Sequence, residues 1–251
     1  MRINLLILTF NMKKIALIAL GLIILQSAQA QVDTSSITPA RKPVINLANR
    51  ANDHFMLQLG YAGWAGVPDS INSGGFSKSF NVFFMFDFPF KTNPKLSIAL
   101  GPGIASDHIK FKNTYVGIKD FTQTLQFRDQ SDTKTKLATV YLEAPVEFRY
   151  VKNPLNSDKS FKFALGVRVG TMLKAYTRNK NLENRSGQTI NSYTMKEYSK
   201  SYFNTTRLVG TARVGVGHFS LFGSYQITTL FKEGVAAEIR PFTVGLTISG
   251  L

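Results

Sequence analysis

The 251-residue chain contains no cysteine, one tryptophan and three histidines. Without cysteine there is no disulfide framework, no thiolate metal site and no cysteine nucleophile. His54, His108 and His218 are too dispersed, with neither helical nor Cys/His spacing, to suggest a metal centre. Acidic residues are scarce: 15 Asp and Glu stand against 30 Lys and Arg, for a formal net charge of +15. Such an excess raises nucleic acid as a partner. The basic residues are scattered, however, and three of them (Arg2, Lys13, Lys14) lie in a segment expected to be removed. No nucleic-acid partner and no cofactor is expected. Beyond the first 30 or so residues no sustained 3.6-residue pattern appears, which argues against a helical domain. What is plentiful is phenylalanine, with 20 residues, alongside 19 Gly and 9 Tyr. With frequent β-branched residues, that composition favours an all-β protein.

Residues Met12 to Ala30 follow the order of a secretory signal peptide. Lys13-Lys14 is the positive region, Ile15 to Leu25 the apolar core, and Ser27-Ala28-Gln29-Ala30 the small-residue cleavage pattern. Cleavage after Ala30 leaves Gln31 first. Met1 to Asn11 is a second apolar run, which a true translation start at Met12 accounts for; the rival is an uncleaved anchor. Lys13-Lys14 splits the combined run, and neither half reaches the about 20 residues needed to span a bilayer. No cysteine follows the apolar core, which excludes lipoprotein processing. The expected organisation is a signal peptide over 1–30, a flexible tail over 31–53 containing Pro39 and Pro43, and one domain over 54–251.

Within that domain the stretch Thr139 to Tyr150 alternates strictly. Val140, Leu142, Ala144, Val146, Phe148 and Tyr150 form an apolar face; Thr139, Tyr141, Glu143, Pro145, Glu147 and Arg149 form the other. Period two is the signature of a strand. A soluble sandwich would bury the apolar face, whereas a membrane barrel turns it to lipid and the charges inward. Seven further strands are predicted, at about 54–64, 76–90, 96–109, 161–176, 207–217, 219–231 and 240–249. Their second face is small or polar nearly throughout, as at Gly101, Gly103, Gly166 and Gly170. A soluble barrel needs the opposite distribution. The links alternate as well: 65–75, 107–135, 177–206 and 232–239 are long and polar, while 91–95, 152–160 and 217–218 are short. Short turns at one end and long loops at the other are the plan of an outer-membrane barrel. The fold expected is an eight-stranded antiparallel up-and-down transmembrane β-barrel. Tyr61, Trp64, Phe88, Phe90, Tyr150, Phe161, Phe231 and Phe242, near strand ends, are expected in its interfacial girdles.

The signal peptide ending Ala28-Gln29-Ala30-Gln31, the strand Tyr141-Leu142-Glu143-Ala144-Pro145-Val146-Glu147-Phe148-Arg149-Tyr150 and the closing Phe242-Thr243-Val244-Gly245-Leu246-Thr247-Ile248 together resemble the PorT-like small outer-membrane β-barrel proteins of Bacteroidetes-type bacteria. The resemblance covers about residues 54 to 251 and implies a fold and an outer-membrane location more than an activity. At its end the chain departs from the pattern, with Ser249-Gly250-Leu251 in place of a terminal aromatic.

Three sets of residues could carry chemistry. Asp87, Glu143, Glu147, Arg149, Arg168 and Arg213 share the inward parity, and buried ions must pair. A Tyr150–Phe161 pairing would set Glu143 opposite Arg168 and Glu147 opposite Ala164, a structural network filling a lumen about wide enough for side chains; a channel's selectivity ring is the alternative. His218 and Ser220 share a face, but Glu233 and Glu238 fall at the far end of the barrel, so no triad and no enzyme is expected. The long links Lys110–Lys136 and Thr177–Thr206 are rich in Lys, Arg, Asn, Ser and Tyr. They read as solvated surface or as contacts to a partner. The function expected is structural or interactive, through these loops. The alternative is transport, as a narrow channel or a component of a secretion assembly; a soluble lipid-binding barrel is the third reading. Partners expected are outer-membrane lipid and an envelope or secretion-complex protein, with the barrel itself a monomer.

Overall fold

The structure, a computed structural model, describes residues 54–68, 71, 74–120, 122–183 and 189–250. The expected signal peptide and tail lie outside the described residues. Eleven strand segments run in the order β1 (Phe55–Ala65), β2 (Lys78–Phe84), β3 (Phe86–Pro89), β4 (Leu96–Leu100), β5 (Gly103–Gly117), β6 (Gln126–Val151), β7 (Phe161–Glu183), β8 (Thr189–Tyr198), β9 (Thr206–Val216), β10 (Phe219–Gln226) and β11 (Arg240–Ser249). β2 and β3 are one wall strand interrupted at Met85, β4 and β5 another interrupted at Gly101-Pro102, and β8 pairs only with the far part of β7. Eight wall strands remain, each antiparallel to its neighbours, and β1 pairs with β11 to close the ring.

Alternation decides which face each residue takes. Along β6, Tyr141, Glu143, Pro145, Glu147 and Arg149 are buried in the lumen, while Leu142, Ala144, Val146 and Phe148 are exposed on the outer wall. Phe84, Phe86, Ile98, Leu165, Val167, Leu221 and Leu246 continue that apolar outer belt around the ring. Exposed large hydrophobics at this density need lipid rather than water around them.

Three expectations need correction. The β6–β7 register is not the one set by Tyr150 opposite Phe161. Tyr150 pairs with Phe163, Glu147 with Gly166 and Glu143 with Gly170. The turn sets this: a 3₁₀ segment over Pro154–Lys159 is capped by the Asn153 side chain, and the Lys152 amide donates to the Phe161 carbonyl at 3.0 Å. The slip is two residues, so every side chain keeps its face.

Second, the links read as loops at 107–135 and 177–206 are largely strand: β5 and β6 continue as a hairpin, and β7 and β8 as another. Beyond the lipid belt an outward position need not be apolar, so polarity there does not mark a loop. Third, Trp64 and Phe231 belong to no girdle. Trp64 shares the inward parity of Gln58 and Ala62, and Phe231 is carried inward by the β10–β11 link; both pack inside the barrel mouth.

Candidate functional site

The lumen is built in two levels. Nearest the turn end, Glu147 Oε2 accepts from Arg149 Nε at 2.9 Å and from Arg213 Nη2 at 3.0 Å. Arg213 also donates to Ser249 Oγ at 3.3 Å. Arg149 lies 3.7 Å from Asp87, which accepts from Ser97 Oγ at 2.7 Å. One level up, Glu143 Oε1 takes the Arg207 Nε–H at 2.5 Å and its Oε2 lies 3.3 Å from Arg168. Arg207 also reaches Asp107 at 2.8 Å and lays its guanidinium 3.8 Å from the Tyr141 ring centroid, and Arg168 lies over Phe83 at 5.3 Å. Four carboxylates (Asp87, Asp107, Glu143, Glu147) thus meet four guanidiniums (Arg149, Arg168, Arg207, Arg213), and the buried Lys162 lies beside Arg149 and Arg213 at the turn end. Charges taken out of water require such partners.

Glycines make room for these carboxylates. Gly166 and Gly170 stand directly opposite Glu147 and Glu143. A Cβ on Gly170 would come within 2.9 Å of the Glu143 Cγ, and one on Gly166 within 2.9 Å of the Glu147 Cγ. The small-residue face read from the sequence is therefore the space in which the glutamate stems lie.

All six residues of the expected network face the lumen and share these two levels, Glu143 and Arg168 meeting diagonally rather than directly opposite. Asp107 and Arg207 complete the upper level and were not anticipated. Parity could have found them: Arg207 shares the face of Thr211 and Arg213, and Asp107 that of Ala99 and Ala105.

Above the ions the lumen turns apolar. Ile109, Phe111, Leu137 and Met172 point inward from the walls. Val116 joins them from the end of β5, and links from three places close over them, bringing Ile118, Leu125, Tyr202, Phe203, Leu230, Phe231 and Ile239 into the same cluster. Phe231 is its hub, with ring centroids at 5.2 Å from Phe203, 6.0 Å from Trp64 and 6.3 Å from Phe127. Backbone bonds stitch the links together: Leu125 donates to Val235 at 2.9 Å, Lys232 to Tyr202 at 3.0 Å and Asn204 to Leu230 at 3.0 Å. The Tyr202 hydroxyl donates to the Asp120 carbonyl and, at 2.8 Å, to that of Thr122. Three cavities in the lumen, beside Arg149 and Arg213, beside Asp107 and Arg168, and beneath Trp64 and Leu230, hold about 10 Å³ each, room for about one water.

The His218 Nδ1–H donates to the Ser249 carbonyl at 2.9 Å, Ser220 is buried, and Glu238 pairs with Arg240 at the other end. Among the described residues no cluster of three or more His, Asp or Glu could hold a metal ion.

Solved structures similar to the chain include two of Ail, the attachment invasion locus protein of Yersinia pestis. One, in complex with the heparin analogue sucrose octasulfate, has 15% identity and a TM-score of 0.32, covering 78% of this chain and 95% of that one. The other has 14% identity and a TM-score of 0.33 at the same coverage. No curated protein matches the chain. The family model described as "Outer membrane protein beta-barrel domain" matches residues 30–232, most of the chain. With a closed ring of eight strands, an apolar outer wall and a charged lumen already in place, this match means that the chain belongs to the outer membrane protein beta-barrel domain family.

Proposed function

We propose that this outer-membrane barrel acts as a structural or interaction protein through its loop end, rather than as a conduit. The observation that carries the reading is the filled lumen: two ionic levels span it and an aromatic core closes its mouth. Such a lumen offers rigidity in place of passage. Meanwhile β5, β6, β7 and β8 project as a paired sheet at the loop end, the end that faces outward in barrels of this plan. Export through cleavage after Ala30, and membership of the PorT-like, Bacteroidetes-type group within the family, belong to the same proposal; they rest on the leader sequence and on the Tyr141–Tyr150 strand.

Two measurements test the reading. In planar bilayers the purified protein is expected to give no large, stable conductance steps; their appearance would make it a channel. In whole membranes, photocrosslinkers placed at Thr122 and Lys196 are expected to capture a specific envelope component, while crosslinkers at Lys91 and Lys152, on the turn end, do not. Equal capture from both ends would remove the loop-end role.

A further inference from the structure

At the turn end of the barrel, two separate turns bring three lysines together. Lys95 closes the 91–95 turn, and its carbonyl accepts from the Val151 amide at 2.8 Å. That bond sets Lys95 beside Lys152, which opens the 152–160 turn. Lys159 stands at the far end of the same turn, which the Asn153 amide closes by donating to Ser160 Oγ at 2.7 Å. The three lysines line one open hollow of about 670 Å³, together with the Asn156 side chain. Phe161 and Val216 line it as well. They pair directly across β7 and β9, and Val216 pairs in turn with Phe219 of β10. All three are exposed on the outer wall, in its last row before the turns. One side of the hollow is therefore cationic and the other continues into the apolar wall.

Acids are too few at this end to neutralise the group. The segments 88–97, 150–161 and 214–221 hold Lys91, Lys95, Lys152 and Lys159 against a single acid, Asp158, so four charges less one leave +3. Arg50 and Asp53, ahead of β1, offset each other. Lys162 is buried in the lumen, and Asp87 and Glu147 lie inside with Arg149 and Arg213. Lys95, Lys152 and Lys159 are exposed, and among the described residues none of them pairs with a carboxylate. Like charges gathered around one hollow repel, and an anion seated between them removes that cost.

We propose that Lys95, Lys152 and Lys159 seat the headgroup of an anionic phospholipid at the turn end. Lysines just beyond an apolar wall stand where lipid phosphates lie, and each strengthens binding to an anionic headgroup about fivefold. The Asn156 amide adds a neutral donor for a phosphate or glycerol oxygen. A lipid held there lays its chains on Phe161, Val216 and Phe219 while its headgroup fills the hollow. That apolar continuation favours a lipid over a soluble polyanion. Leu155, on the same turn, is exposed too and gives the turn its own apolar contact with the bilayer. The proposal goes beyond the loop-end reading: it concerns the opposite end of the barrel and a lipid rather than a protein, and its test requires no partner at the loops.

The test uses the full-length protein in nanodiscs of phosphatidylglycerol and phosphatidylethanolamine in equal parts, with retained lipid read by native mass spectrometry. Phosphatidylglycerol is expected to be retained about tenfold or more over zwitterionic phosphatidylethanolamine. The variant K95Q/K152Q/K159Q is expected to lose about tenfold or more of that preference. A loop-end control that removes the same charge, K110Q/K174Q/K196Q, is expected to lose less than about twofold. Heat-modifiable gel migration checks that each variant is folded. Should the triple variant not fold, K95Q and K159Q, on separate turns, are each expected to lose about threefold or more alone. Glycerophosphoglycerol, the headgroup without chains, is expected to leave the bound lipid in place. The proposal is overturned if a folded turn-end variant keeps the parent's preference, if the two lipids are retained equally, if the loop-end control loses as much, or if the free headgroup displaces the lipid.

Discussion

Glu143 and Phe231 are both sealed from solvent inside the same barrel, at 2% and 1% exposure, yet they hold their surroundings in opposite ways. Around Glu143 everything depends on matched partners: remove one ion and the others stay buried without compensation. Around Phe231 the rings are interchangeable in kind, and what matters is volume and contact area. The ionic half is built from wall residues alone, at positions that strand parity fixes. The aromatic half joins wall residues such as Trp64, Phe111 and Phe127 to links that fold over the mouth. One region therefore fills the lumen and the other seals the mouth.

Substitutions can separate the two. The largest effect is expected for Glu143→Ala, which strands Arg168, leaves Arg207 with Asp107 alone and should cost about 3–5 kcal/mol in urea unfolding followed by heat-modifiable migration. If charge matching is the cause, replacing the whole level together (D107N/E143M/R168M/R207M) should cost less than Glu143→Ala alone. A larger loss from the combined variant would break the comparison, since packing rather than pairing would then hold that level. Phe231→Ala should cost about 3 kcal/mol and, unlike the ionic variants, should increase protease cleavage in the links at 118–125 and 199–206. Gly170→Ala is expected to cost about 1–3 kcal/mol by crowding the Glu143 stem, and to cost much less in a Glu143→Ala background. Smallest of all, Arg128→Ala removes an ion pair at the exposed hairpin tip and should change stability by less than about 1 kcal/mol, an effect that salt screens further.

The two halves also differ in how far they could be read in advance. Tyr141 to Arg149 announces its inward face by alternation alone, and the same parity reaches Arg168 and Arg213 on other strands. Asp107 and Arg207 carry the same signal but lie at the ends of their predicted strands, where a polar residue is easily assigned to a loop. The aromatic core had no such signal. Tyr202, Phe203 and Phe231 sit in links without periodicity, and nothing local tells an inward-folded ring from a girdle residue. Trp64 shows the ambiguity within a strand: its parity points inward while its place near a strand end suggests the interface.

Thr139 to Tyr150 began as a strand whose charged face could have met water. Its composition and alternation already implied a barrel with that face inside, because period two depends only on the pleat and the lipid belt leaves the opposite face no other place. Which residues meet across the lumen was another matter. The 152–160 turn set a register two residues from the simplest one, so that Gly170 rather than Arg168 stands opposite Glu143, and Arg207 arrives from the strand beyond to complete the pairing. Register and lumenal contacts depend on turn geometry and ring closure, which join residues far apart in the chain, and only the tertiary structure could decide them.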